Sequence, residues 1–241
     1  MAKIVSLYGG LGGLEFGFKR AGFDVVCGNE VDETIRNIFV SNFPGSFCYN
    51  SNLDGVCTCG FKHRNPLGIV GQIRDEHDRG HFSRILAATK PAFFVAVADG
   101  GLVDTNRNDE LTKITDDLGS KGYDIFVEWM DEYDYGSQFS KSYTYIVGFT
   151  QESEVQNFVF PEKNVVRESG PNAYAVDPVT LPSSQLLEEK GLAPEYNLFG
   201  HENEPAVNQA IIDTISPNVG EALARAISKV KVTVMKKIGE F

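Results

Sequence analysis

The stretch from Ser6 to Phe18, SLYGGLGGLEFGF, limits what this chain can become more than any other. It follows a short apolar run, Lys3-Ile4-Val5, that predicts a strand, and it crowds Gly9, Gly10, Gly12 and Gly13 into the turn behind that strand. Glycine permits positive φ and lets a ligand come close to the backbone. The residues from Gly13 to about Ala21 predict a helix. A strand, a glycine turn and a helix N-terminus together form a cradle for a nucleotide-like cofactor. A second predicted strand, Phe23 to Cys27, runs into Asn29-Glu30-Val31-Asp32, placing the Glu30 carboxylate where it can hold a ribose hydroxyl pair. Glycines alone would be explained by a tight structural turn. The turn and the acid together predict a cofactor site, and the spacing is not the dinucleotide G-x-G-x-x-G.

The run SLYGGLGGLEFGFKRAGFDVVCGNEVD resembles the first two motifs of the DNA cytosine-5 methyltransferases, which use S-adenosylmethionine (SAM). The resemblance implies an α/β, Rossmann-like methyltransferase fold: a mixed, mostly parallel sheet with helices on both faces. It implies that SAM or its demethylated product, S-adenosylhomocysteine (SAH), lies against Tyr8, Gly9, Gly10, Leu11, Gly12 and Gly13. Tyr8 would sit near the adenine, and Glu30, beside Val31, would hold the ribose. Ser51-Asn52-Leu53 falls where the family carries Gly-Asp-Ile, whose aspartate accepts a hydrogen bond from the adenine amino group. Asn52 can accept one through its amide oxygen without the charge.

Further along, the scaffold persists while the family's chemistry is missing. Leu67 to Gly71 predicts the fourth strand, which in the family leads into a Pro-Cys-Gln loop carrying the nucleophile. Here it leads into Gln72-Ile73-Arg74-Asp75-Glu76-His77-Asp78-Arg79-Gly80, without a cysteine. Pro91 to Val97 reads as a buried strand, apolar and unalternating. Val97-Ala98-Asp99 stands in place of the family's Glu-Asn-Val, so the glutamate that contacts the cytosine ring is absent; a buried Asp99 would have a raised pKa. Tyr135-Gly136 and Tyr145-Ile146-Val147-Gly148-Phe149 match the family, but its Gln-x-Arg-x-Arg positions hold Phe139, Lys141 and Tyr143. Pro217 to Ile227 resembles the last family motif and its helix, with Ile212-Asp213 in place of Gly-Asn. Three regions are expected: a methyltransferase-like core over 1–160, a short irregular segment over 161–210 in place of a target-recognition domain, and a C-terminal helix over 211–241 returning to the core. No catalytic residue is assigned.

Two further helices are predicted, Glu33 to Asn42 and Asp109 to Leu118, with another over Phe82 to Thr89 and strands at Phe47 to Tyr49 and Tyr123 to Trp129. Four cysteines show no disulfide framework, and no leader or membrane span is apparent, so a cytoplasmic setting is the expectation. Cys57-Thr58-Cys59 followed by His63, with Cys48, His77 or His81 as further donors, is not a standard zinc spacing, and no metal is assigned. Formal net charge is −11, which argues against direct DNA binding by the chain alone. From Asp104 to Glu154 twelve acids face four bases, a balance of −8. That stretch reads either as a solvated surface or as one that repels or imitates DNA. The sequence therefore suggests a catalytically inactive relative acting through a protein partner, such as an active methyltransferase or a restriction component. The alternative is a SAM-binding subunit of a split methyltransferase completed by another chain.

Overall fold

The computed structural model describes residues 1–99, 108–151, 155, 158–164 and 180–238, the side chains of 99, 108 and 231–238 excepted. The chain opens with β1 (Ala2–Leu7), α1 (Gly13–Arg20), β2 (Phe23–Asn29), α2 (Glu33–Asn42) and β3 (Phe47–Tyr49). A one-turn helix α3 (Cys59–Lys62) precedes β4 (Gly68–Ile73), α4 (Glu76–Thr89), β5 (Phe93–Asp99), α5 (Asn108–Gly119) and β6 (Tyr123–Asp131). A 3-10 turn, Glu132–Tyr135, then leads to β7 (Ser142–Thr150), α6 (Ser183–Lys190), α7 (Pro205–Asp213) and α8 (Pro217–Ile238).

The strands form one seven-stranded sheet in the order β3-β2-β1-β4-β5-β7-β6. The first five are parallel, with pairs such as Val5 with Ile69 and Val70 with Val95. β7 runs antiparallel between β5 and β6. This is the mixed, mostly parallel sheet that the sequence predicts. Side chains alternate across a strand, and both faces here are buried. Ile4, Val70 and Val95 join one core with α1, α6, α7 and α8. Val5, Ile69 and Phe94 join the other with α4 and α5. Covered faces explain why β5 reads as an apolar, unalternating run from Phe93 to Ala98.

Helix α8 lies along α1 at very short range. A Cβ at Gly17 would collide with the Pro217 carbonyl and the Gly220 backbone, so only glycine lets the two helices touch there. The crossing returns the chain's end to the sheet beside the glycine turn.

Three departures from the sequence reading matter. Helix α4 begins at Glu76, six residues before the predicted start, because the Asp75 carboxylate caps it by accepting from the Asp78 amide at 2.8 Å. The segment expected to be irregular, 161–210, holds α6 and the first six residues of α7, and its Leu186, Leu187 and Val207 are buried in the main core. Residues 165–179 of that segment lie outside the described residues. Finally, the acidic stretch is not one surface. Asp131, Glu132 and Asp134 are buried at 3 %, 0 % and 3 % exposure. Asp131 accepts from the Ser140 and Ser142 hydroxyls, both at 2.9 Å. Glu132 pairs with Lys190 and Asp134 with Lys163. Asp104, Glu152 and Glu154 fall outside the described residues. No described helix is long and apolar enough to cross a membrane.

Candidate functional site

At the carboxyl ends of β1, β2 and β4 the sheet opens into a cavity of about 450 Å³. Its wall brings together Tyr8, Gly9, Gly10, Leu11, Glu30, Val31 and Asn52, all singled out from sequence. Gly12 and Gly13 do not line it. Gly12 caps α1 in the left-handed region, φ 83°, against Phe39 and Phe43. Gly13 backs onto the Ile215 carbonyl, and its amide donates to the Thr214 hydroxyl at 2.9 Å. These two glycines shape the cradle from behind while Gly9 to Leu11 face the cavity.

Tyr8 turns the chain with φ at 57°, a left-handed conformation that is costly for a side chain of this size. Its neighbours hold it there. Its amide donates to Asn29 Oδ1 at 2.9 Å and its hydroxyl donates to the Asn52 carbonyl at 2.9 Å. The Asn29 amide group also donates to the Ser51 carbonyl at 3.1 Å. One asparagine at the end of β2 thus ties the glycine turn to the loop after β3. Burial pushes the Tyr8 hydroxyl pKa well up, so it stays a neutral donor. Glu30 accepts from the Asp32 amide at 2.9 Å through one oxygen and lines the cavity. Val31 is 62 % exposed at the rim, an apolar side chain with open space above it. Asn52 spends its amide locally: it donates to Asp54 Oδ2 at 2.9 Å and accepts from the Asp54 amide at 3.3 Å. The cavity's volume, and the Glu30 carboxylate set beside Leu11, Val31 and Ile35 in its wall, fit an adenosyl cofactor.

The opposite wall holds Gln72, Arg74, Lys141, Tyr143, Asp213 and Thr214. Strand β4 passes into α4 through Arg74 and Asp75 alone, so no loop arches over the cavity from this side. The Arg74 guanidinium lies 5.1 Å above the Tyr8 ring and bonds Asp78 at 2.7 Å. Lys141 pairs with Asp213 at 3.1 Å, and the Tyr143 hydroxyl donates to the Asp213 carbonyl at 3.3 Å. These contacts tie β7 to the end of α7. Val97 is buried in the core beneath the cavity at 1 % exposure and cannot move a proton. Phe139 is buried too, with the Lys190 ammonium 5.2 Å over its ring. The side chain of Asp99 lies outside the described residues. Asn29, Arg74 and Thr214 carried no sequence signal as site residues, because each is placed by tertiary contacts rather than by a motif.

The sulfurs of Cys57 and Cys59 are joined to each other, a pairing the sequence reading did not foresee, while Cys27 and Cys48 are free thiols.

The profile of the C-5 cytosine-specific DNA methylases matches residues 2–54 and 75–198, well over half of the chain. The chain belongs to that family. Its members are SAM-dependent methyltransferases, in keeping with the cradle just described. The match breaks over 55–74 and resumes at Asp75, so the unmatched segment ends where β4 meets the α4 cap. Relatives include the type II methyltransferase M.FnuDI of Fusobacterium nucleatum, 28 % identical over 66 % of this chain and 50 % of its own length. M.NgoPII of Neisseria gonorrhoeae is 28 % identical over 69 % of this chain and 53 % of its own. The chain thus spans about half the length of the curated relatives it matches. Among solved structures, a candidate DNA modification methyltransferase from an E. coli prophage superimposes with a TM-score of 0.77 at 16 % identity. It covers 96 % of this chain and 100 % of its own. Entamoeba histolytica methyltransferase EhMeth gives 0.67 at 12 % identity, covering 100 % and 99 %. At these identities the structures speak for the fold alone.

Proposed function

We propose that this chain binds SAM or SAH and does not itself methylate cytosine, acting instead through a protein partner. The observation that carries this reading is the passage from β4 to α4 through Arg74 and Asp75. A cytosine-5 transfer needs a nucleophile held over the base, and placement errors of about 1 Å already cost such chemistry heavily. Here neither a thiol nor a loop stands at the strand's end. Val97, Phe139, Lys141 and Tyr143 leave no acid and no arginine pair to hold a flipped base. The cradle supports the other half of the proposal. Tyr8, Gly9 to Leu11, Glu30, Val31 and Asn52 would hold the cofactor, whose reactive methyl would be the group supplied for any transfer. The relatives are named as methyltransferases, so the second reading is a SAM-binding portion of an active enzyme, completed by further polypeptide. What favours it is the survival of the cavity beside a chain that covers half of each relative.

Calorimetric titration with SAM and SAH, beside Glu30→Ala, tests the cradle. Hydrogen bonds to a charged group contribute about 1.5–3 kcal/mol, so the variant is expected to bind roughly 10- to 150-fold more weakly. Equal affinity in both proteins would remove Glu30 from the site. Labelled-methyl transfer to cytosine-containing DNA then separates the readings. The purified chain transfers nothing under either, while transfer that appears only with added extract selects the completed enzyme.

A further inference from the structure

His77 and His81 stand one turn apart on α4 and turn their rings toward one point, with centroids 4.5 Å apart. Nε2 of His77 lies 2.9 Å, and Nε2 of His81 3.0 Å, from the same atom, Oδ1 of Asp54. Asp54 comes from the loop between β3 and α3, so two separate elements converge here. The three donor atoms lie within 4.8 Å of one another. We propose that Asp54, His77 and His81 form a binding site for a zinc-like divalent cation.

The donor set suits such an ion. Two imidazole nitrogens and one carboxylate oxygen favour zinc, cobalt, nickel or ferrous iron over calcium or magnesium. Tetrahedral ligands at about 2.0–2.1 Å from an ion lie roughly 3.3 Å from each other, so the two Nε2–Oδ1 separations of 2.9 Å and 3.0 Å need to open by only a few tenths of an ångström. Asp54 is held for the task by Asn52, whose amide donates to its other oxygen at 2.9 Å. Side chains of Asp54 and His77 are 63 % and 44 % exposed, which leaves coordination positions open to water. Asp75 and Asp78 stand beside His77, the latter with Oδ1 3.9 Å from His77 Nδ1. On the other side, the Arg84 guanidinium donates to His81 Nδ1 at 2.9 Å. That contact puts the His81 proton on Nε2, facing Asp54. A cation bound at Nε2 requires this proton to move to Nδ1, which breaks the Arg84–His81 contact; Arg84 then keeps the Val56 and Leu53 carbonyls as acceptors at 2.8 Å and 3.2 Å.

The site touches the cavity without being part of it. Asn52 joins Asp54 to the cavity wall, and its carbonyl accepts the Tyr8 hydroxyl. A cation would therefore staple the loop at the cavity's rim to α4. The proposal stands whether or not the cavity takes SAM, because its test needs the cation alone.

Untagged protein is titrated with zinc chloride and, for its visible spectrum, cobalt chloride. One ion per chain is expected to bind, and His77→Asn or His81→Asn is expected to weaken it by more than about tenfold. The chain has four histidines, and His63→Asn and His201→Asn serve as controls that leave affinity unchanged. Should the α4 variants fold poorly, imidazole resonances of the wild-type protein decide: zinc is expected to shift those of His77 and His81 and to spare the other two. No binding at about 1 mM cation, a range in which any association would amount to only about −4 kcal/mol, overturns the proposal. Binding that shifts His63 or His201 instead overturns it equally.

Discussion

Glu15 shows how much a single residue beneath the glycine turn can hide. It is 1 % exposed, and Ser6 donates to its Oε1 at 2.7 Å. Its Oε2 has no hydrogen-bond partner among the described residues. Burial pushes the carboxyl up from its ordinary value of 4.5 to about 7. Between those values the folded chain holds a proton that the unfolded chain has released. Stability therefore falls as pH rises through that window and levels off above it. The size is about 3 kcal/mol, from 1.36 kcal/mol for each pKa unit. Glu15→Gln is expected to flatten the profile, and urea unfolding of both proteins at several pH values across the window measures it. A slope that persists in the variant assigns the effect to another group. Nothing in SLYGGLGGLEFGF marks Glu15 as buried, since a glutamate in the first turn of a helix reads as a solvated charge suited to the helix dipole. The glycines and Glu30 were legible because their roles depend on backbone shape and chain order. Asn29 and Glu15 were not, because theirs depend on what folds over them.

At the scale of elements the same division recurs. Strands β1 to β5 and helices α1, α2 and α5 declare themselves by apolar runs or helical spacing. Helix α6 does not, because SSQLLEEK is two turns long and gives periodicity little to act on. Its last residue, Lys190, looks like a surface charge at a helix end, yet it is fully buried with Glu132 at 2.8 Å. Lys190 Nζ also donates to the Ile212 carbonyl at 3.0 Å, and Glu132 accepts the Ser216 amide at 2.8 Å. The pair thus grips the end of α7 and the last residue of the link to α8, between which Asp213 and Thr214 enter the cavity wall. Removing one partner leaves a buried charge uncompensated, at a cost of about 3–5 kcal/mol. Lys190→Ala is expected to lose that much in urea unfolding, and Glu132→Gln with Lys190→Met to recover most of it. If the double variant is as unstable as the single, packing of the lysine stem rather than its charge holds the link.

For the whole molecule, the proposal that this methyltransferase scaffold does not itself methylate cytosine bears first on DNA. The family's DNA partner carries a dense negative charge, and a protein that grips it neutralises phosphates with lysine and arginine. This chain carries a net −11. The two cations in the cavity are each held by an acid, Arg74 by Asp78 and Lys141 by Asp213. Duplex DNA is accordingly expected to bind no tighter than about 100 µM at physiological salt, measured by fluorescence anisotropy. Tighter binding would mean that charge outside the described residues reaches the duplex and that a DNA-directed role is intact. A sharper test returns a thiol to the strand's end. Asp75→Cys places it two residues past β4, at the cost of a helix cap contributing about 1 kcal/mol. Labelled-methyl transfer by this variant is expected to stay at background. The thiol would sit at the N-cap of a packed helix, whereas the reaction needs it carried over an extruded base. Transfer by the variant would mean that the fold lacks only a nucleophile. Continued silence, with SAM bound, would mean that a thiol alone does not make this site methylate cytosine, and that the missing loop is needed as well, in keeping with the proposed reading.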